Sequence, residues 1–216
     1  MMTKWRAEVL LFDFDGTLID SKVDIATAVN CTLRDLGLPL RSVEEIFSFV
    51  GDGVKRLLRL SVGEESPEQY ERALEVFRHH YLEHCVETTR WYPGIWEVLQ
   101  HYKDRTRVIV TNKSLEYTLA IVDGLQARDV FQHVEAPRDT SELKPEPVML
   151  ERALEVLGAD RSNAVMIGDS TNDVRAAQAT GIRACAVGYG YGNRERVAAL
   201  NPDFYCETPH DFLNLW

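Results

Sequence analysis

Apolar positions fall into two textures along the chain. Val9–Phe12 (VLLF), Arg107–Thr111 (RVIVT), Ala164–Gly168 (AVMIG) and Ala184–Val187 (ACAV) are short continuous apolar runs. Runs of that kind predict strands covered on both faces, as in a parallel sheet. Segments between them carry helical spacing. Leu115, Leu119 and Val122 predict one helix stopped by Gly124, and Met149 or Leu150, Ala153, Leu154 and Leu157 predict another stopped by Gly158. Strand alternating with helix is the α/β pattern.

The texture changes between Asp20 and about Thr89, where three or four amphipathic helices and no strand are expected, as in a helical insertion. Ile25, Val29, Leu33 and Leu36 recur at three or four and end at Gly37; Ser42-x-x-Glu45 is a capping box ahead of Ile46 and Phe49. Ser66-Pro67-Glu68-Gln69 reads as a second box with proline at the first helical position. Tyr70, Ala73 or Leu74, Phe77 and Tyr81 follow as a stripe whose default role is core packing. The stretch Arg90–Gly94, with its proline, marks the return to the sheet.

With 216 residues and 45% hydrophobic content the chain can bury a sizeable core. Lys+Arg of 24 against Asp+Glu of 34 gives a net charge of −10, with a pI near 5.1, so nucleic acid and anionic membrane surfaces are disfavoured as partners. Cys31, Cys85, Cys185 and Cys206 are widely spaced, without a Cys-x-x-Cys pair, and read as reduced, mostly buried thiols. The apolar run before Asp13 is too short for a signal peptide or a membrane span, so a cytoplasmic location is expected.

Candidate chemistry begins where the first strand runs into Asp13-Phe14-Asp15-Gly16-Thr17. Ligands of open α/β sheets bind at the carboxyl ends of strands. Two acids at such a tip repel each other unless a cation, a basic residue or a retained proton holds them. One Asp would be enough to start a turn, and the pattern recurs after the AVMI run as Gly168-Asp169-Ser170-Thr171-Asn172-Asp173. Asp169 and Asp173 face one pocket if a helix starts near Ser170. Four converging acids would call for a hard divalent cation, Mg²⁺ foremost. Thr111-Asn112-Lys113 offers a hydroxyl, an amide and backbone N–H groups to a phosphoryl oxygen, and Lys144, ahead of a helix expected from Glu146, offers a point charge. Taken alone, either lysine reads equally well as a solvated surface charge.

In this order DFDGT, TN, a lysine before a helix, and GDSTND resemble the haloacid dehalogenase superfamily over the whole chain, and within it the phosphoglycolate phosphatase and β-phosphoglucomutase branch. The resemblance implies a doubly wound parallel sheet formed by residues 1–17 and 90–216, a mobile α-helical cap domain at 18–89, and Mg²⁺-dependent phosphoryl transfer. It makes Asp13 the nucleophile and Asp15 first the acid and then the base, helped by a carboxyl held protonated by neighbouring acid. Asp13, Asp169 and the Asp15 carbonyl would hold Mg²⁺, with Asp173 a ligand directly or through water. Thr111, Asn112 and Lys144 would hold the transferring phosphoryl group, while Lys113 faces either substrate or solvent. Dehalogenases of the superfamily lack a carboxylate two residues after the nucleophile, so Asp15 favours phosphate chemistry.

Gly51-Asp52-Gly53 lacks the third glycine of a dinucleotide loop, since Arg56 occupies that place, and no strand precedes it. It resembles instead the cap loop that helps select substrate, with Lys55 or Arg56 placed to meet a substrate carboxylate. The plainer reading is a turn with solvated basic residues. His80 and His84 have helical metal spacing without a third ligand, and Tyr189-Gly190-Tyr191-Gly192 is given no catalytic role. The expected activity is hydrolysis of a small phosphorylated metabolite, phosphoglycolate first, by a monomer or homodimer. A phosphomutase is the nearest rival. A non-catalytic phospho-receiver is the rival from another class, and an insertion of about 70 residues speaks against it.

Overall fold

The computed structural model describes residues 5–63 and 67–216. Strands β1 (Val9–Phe12), β4 (Thr106–Val110), β6 (Ala164–Gly168) and β7 (Arg183–Val187) lie where the apolar runs predict them, β4 and β7 each starting one residue earlier. Two three-residue strands went unpredicted, β5 (His133–Glu135) and β8 (Phe204–Cys206). The six form a parallel sheet in the order β5-β4-β1-β6-β7-β8.

Alternate residues of β1 serve opposite faces. Leu10 and Phe12 join Ile109, Val165 and Ile167 in one core, with α5 (Ile95–His101) and α6 (Leu115–Gly124). Val9 and Leu11 join Val108, Val110 and Met166 in the other, with α7 (Val148–Leu157), α8 (Thr171–Thr180) and Val197 of α9 (Arg194–Ala198). Both faces being covered explains why the strands read as continuous apolar runs. Helix α7 buries Met149, Leu150, Ala153 and Leu154 and ends on a left-handed Gly158 as expected, although it starts at Val148. Helix α6 departs from its predicted stripe. Leu115 and Leu119 are exposed, and the buried face is Tyr117, Thr118, Ile121 and Val122. Tyr117 turns that face inward by packing edge-on against Tyr81, while Gly124 stays within the helix, pressed against Val86.

Between the paired strands β2 (Ile19–Asp20) and β3 (Arg90–Trp91) the described chain is helical: α1 (Lys22–Asp35), α2 (Val43–Phe47), α3 (Gly53–Val62) and α4 (Pro67–His84). Ile25, Val29 and Leu33 of α1 and Ala73, Phe77 and Tyr81 of α4 are buried in this helical layer. Ser42 caps α2 by accepting from the Glu45 N–H. The box proposed at Ser66 falls outside the described residues. His80 and His84 do not form a pair of ligands, because each faces its own acid, Asp35 and Glu87. All four cysteines are free thiols, three of them buried. Among the described residues no helix is long and apolar enough to cross a membrane.

A buried carboxylate ties the two ends of the insertion together. Asp24, in the first turn of α1, accepts from the backbone N–H and the hydroxyl of both Thr88 and Thr89, just ahead of β3. Burial pushes this carboxyl up, but the hydrogen bonds outweigh it and hold it below its ordinary 3.8. A depressed folded value means stability that is complete above the ordinary carboxylate range and lost as pH falls through and below it. Asp24→Ala is therefore expected to lower stability by about 2–4 kcal/mol at neutral pH. In urea titrations the gap to wild type should close as pH drops below about 4; a gap independent of pH would show that lost packing, and not the carboxylate, is responsible.

Candidate active site

Register places the site. Phe12 aligns with Ile109 on one side and Ile167 on the other, so Asp13, Thr111 and Asp169 emerge together at the carboxyl ends of the three central strands. Asp13 keeps the sheet pairing one step further through its N–H to the Ile167 carbonyl, at 2.8 Å. Gly16, at φ +83°, then turns the chain so tightly that a Cβ there would lie 2.5 Å from an Asp169 oxygen.

Oxygens of Asp13, Asp169 and Asp173 lie within 4.8 Å of one another. Lys144 is buried beside them, its Nζ 2.9 Å from Asp13, 2.7 Å from Asp173 and 2.7 Å from the Val110 carbonyl. Burial, and next the charge of Asp173, pushes Asp13 up to about 8 and Asp169 up to about 7. Burial pulls the Lys144 ammonium down, yet Asp13 and Asp173 carry it above its ordinary value. Were all three acids ionised, one ammonium would leave two negative charges uncompensated, so Asp13 and Asp169 hold their protons above the ordinary carboxylate range unless a further cation joins them. An all-oxygen set with that deficit fits a hard divalent cation. Asp173 also closes a capping box with Ser170 at the start of α8, which fixes its other oxygen.

The sequence suggested four converging acids, and the structure brings together three. Asp15 lines the same cavity but its carboxylate turns away from that cluster, accepting from Ser21 Oγ and from Lys113 Nζ at 3.0 and 2.8 Å. Its partners are a lysine and a hydroxyl in place of the expected neighbouring acid. Lys113 faces the site and not solvent, with its side chain 7% exposed and its ammonium 5.0 Å from the centre of the Tyr81 ring.

Asn112 is placed differently from expectation. Its amide donates to the Gly51 and Lys144 carbonyls at 2.9 and 3.0 Å, and its oxygen accepts from the Lys144 N–H at 2.7 Å. Those bonds fix Lys144 and leave no free amide donor for a phosphoryl group. Thr111 Oγ1 accepts from the Lys113 N–H at 3.1 Å and keeps its own proton to donate.

Above these groups lies a cavity of about 250 Å³, smaller than the roughly 300–1,000 Å³ of drug-sized sites. Gly51 and Gly53 line it, as do Val54 and Leu57 of α3. Lys55 and Arg56 do not, because they occupy the other side of that helix: Arg56 pairs with Asp52 at 3.1 Å and Lys55 borders a neighbouring cleft. Phe77 and Tyr81, read from sequence as core, are both core and cavity wall. Tyr191 and Gly192, in the loop given no catalytic role from sequence, reach the site through their main chain. Their backbone N–H groups both donate to Asp169 Oδ2, and the Tyr191 hydroxyl donates to Asp20 and accepts from the Ser21 N–H. Backbone donors leave no side-chain signature; the two glycines flanking Tyr191 were the available clue.

Residues 10–187 match the family model for haloacid dehalogenase-like hydrolases, and the chain belongs to that family. It is 34% identical over 209 residues to a phosphoglycolate phosphatase of Aquifex aeolicus, covering 96% of this chain and 95% of the relative. A phosphoglycolate phosphatase of Chromobacterium violaceum is 36% identical over 199 residues, covering 89% and 90%. The crystal structure of a predicted phosphoglycolate phosphatase from Haemophilus somnus superposes with a TM-score of 0.89 at 26% identity, covering 99% and 98%. Within the family this chain is a phosphatase, a phosphoric monoester hydrolase.

A Cβ on Gly192 would lie 1.9 Å from the Asp169 carbonyl oxygen, so Gly192→Ala must displace the loop and release Asp169. Turnover is expected to fall by about 10²-fold, as for lost partners of metal-binding groups, with the thermal unfolding midpoint falling much less. Turnover near wild type would show that the loop does not hold Asp169 in its working position.

Proposed function

We propose that the protein is a Mg²⁺-dependent phosphatase acting in the cytoplasm on a small phosphorylated metabolite, through a phosphoenzyme formed on Asp13. The observation that carries this reading is the Asp13 carboxylate held against Lys144 at the floor of a small cavity, beside Asp169 and Asp173. Asp13 would attack phosphorus in line with the leaving oxygen, while the positive charge of Lys144 and the Thr111 hydroxyl steady the phosphoryl oxygens. Asp15, two residues on, would give the departing alkoxide its proton and afterwards take one from the water that hydrolyses the acyl phosphate. Asp13, Asp169 and Asp173, the last directly or through water, would hold the ion, which supplies Lewis-acid stabilisation when bound. The helices between β2 and β3 would serve as the cap that excludes water.

Phosphoglycolate is the first substrate to test, given the names of the relatives and the size of the cavity. The apolar side chains of the cavity wall give a sugar's hydroxyls few partners, which favours transfer to water over return to a sugar. Four free thiols accord with a reducing compartment.

Asp13→Asn is expected to lower phosphate release by about 10³-fold or more and to abolish acid-stable phosphoenzyme labelling; substantial turnover by pure variant would refute the nucleophile assignment. EDTA should silence the enzyme, and added Mg²⁺ should restore it. Full activity in chelator would remove the cation from the reaction.

A further inference from the structure

The cavity wall opposite the phosphoryl site is largely apolar, with Ile25, Phe47, Val50, Leu57 and Phe77 facing the space a leaving group would fill. Two cations line the cavity among the described residues, and they differ in donors left over. An ammonium has three N–H groups. Those of Lys144 are matched by Asp13, Asp173 and the Val110 carbonyl. Lys113 meets the two oxygens of a single carboxylate, Asp15, and turns toward the Tyr81 ring with a donor to spare.

Tyr81 supplies a second, independent sign. It is 1% exposed and lines the cavity, yet its hydroxyl has no hydrogen-bond partner. Of the unpartnered buried side-chain atoms among the described residues, this one alone belongs to a cavity-lining residue. Burial, and then the charge of Asp15, holds the phenol well above its ordinary value, so at neutral pH it remains a donor. A buried hydroxyl left unpaired is unfavourable, and a ligand acceptor would relieve it.

We propose that Lys113 and Tyr81 form an anion subsite for a carboxylate carried by the leaving group, so that the enzyme selects phosphate esters of short hydroxy acids. The proposal rests on the phosphatase reading above and assigns its specificity. Asp15 is the group that meets the leaving oxygen, and Lys113 is bonded to Asp15. A carboxylate held by Lys113 therefore sits within a carbon or two of the cleaved bond. A longer acid would press its chain against Tyr81 and Phe77. In such a complex the Lys113 ammonium is shared between Asp15 and the substrate, and the Tyr81 hydroxyl gains its missing acceptor.

The test compares phosphate release from 2-phosphoglycolate and from ethyl phosphate, which has the same two-carbon leaving group without the carboxylate, with Mg²⁺ present. Wild type should favour the acid. Lys113→Met should cut the ratio of the two kcat/KM values by about tenfold or more, chiefly through KM for the acid, and Lys113→Arg should restore part of it. Tyr81→Phe keeps the ring, removes only the hydroxyl, and should lower the same ratio by about threefold or more. It carries the test should the methionine variant fail to fold. Equal losses on both esters would mean that Lys113 only positions Asp15, overturning the subsite; so would a wild-type ratio near one. A wild type that hydrolyses neither these esters nor any other phosphomonoester would instead refute the phosphatase reading.

Discussion

The site depends on one buried ammonium. Removing a lysine charge from water is costly unless its donors are satisfied and its charge is matched, and breaking such a pair by removing one partner is more damaging than never having formed it. Lys144 is 2% exposed, and three elements supply its acceptors: the tip of β1 through Asp13, the end of β4 through Val110, and the first turn of α8 through Asp173. Those elements belong to separate strand-helix units, so the lysine is stable in place only when the central sheet has assembled in register. The same groups that make its burial tolerable form the acidic pocket, whose excess negative charge invites a cation.

Around that centre the molecule separates two tasks. The sheet side carries the charged groups, Asp173 held in its capping box and Asp169 under the Tyr191 and Gly192 N–H groups, while Asp15 and Lys113 hold each other. The helical layer between β2 and β3 contributes mainly apolar and aromatic side chains. Tyr191 lies where the two meet. Its backbone fixes Asp169, its hydroxyl bonds Asp20 and Ser21 at the entrance to the helical segment, and its ring packs edge-on against Phe47 at 4.4 Å.

Much of this was legible in the chain because a strand covered on both faces has no room for a carboxylate except at its end. The four longer strands, the α/β order and the tip positions of Asp13 and Asp169 all follow from continuous apolar runs meeting a carboxylate. What escaped did so for identifiable reasons. Strand β5 is His-Val-Glu, too short and too polar to show a period, and β8 is as brief. The face of α6 was misjudged because leucines at 115 and 119 have the right spacing, while the aromatic contacts that orient the helix come from α4, some 40 residues earlier in the chain. Lys113 pairs with a residue 98 positions away, a juxtaposition no local pattern encodes. Phe77 and Tyr81 display the same stripe whether they pack a core or wall a cavity, since both duties bury them.

The Asn112 side chain has a consequence for how such an enzyme would turn over. One of its amide protons reaches the Gly51 carbonyl on the helical layer, while its other bonds run to the main chain of Lys144 within the sheet domain. Lifting the helices would break the first bond and carry Tyr81 off Lys113, yet leave the lysine at the floor clasped as before. The grip on phosphate would thus persist from one cycle to the next, and only the contacts that judge the rest of the molecule would be made afresh with each arrival.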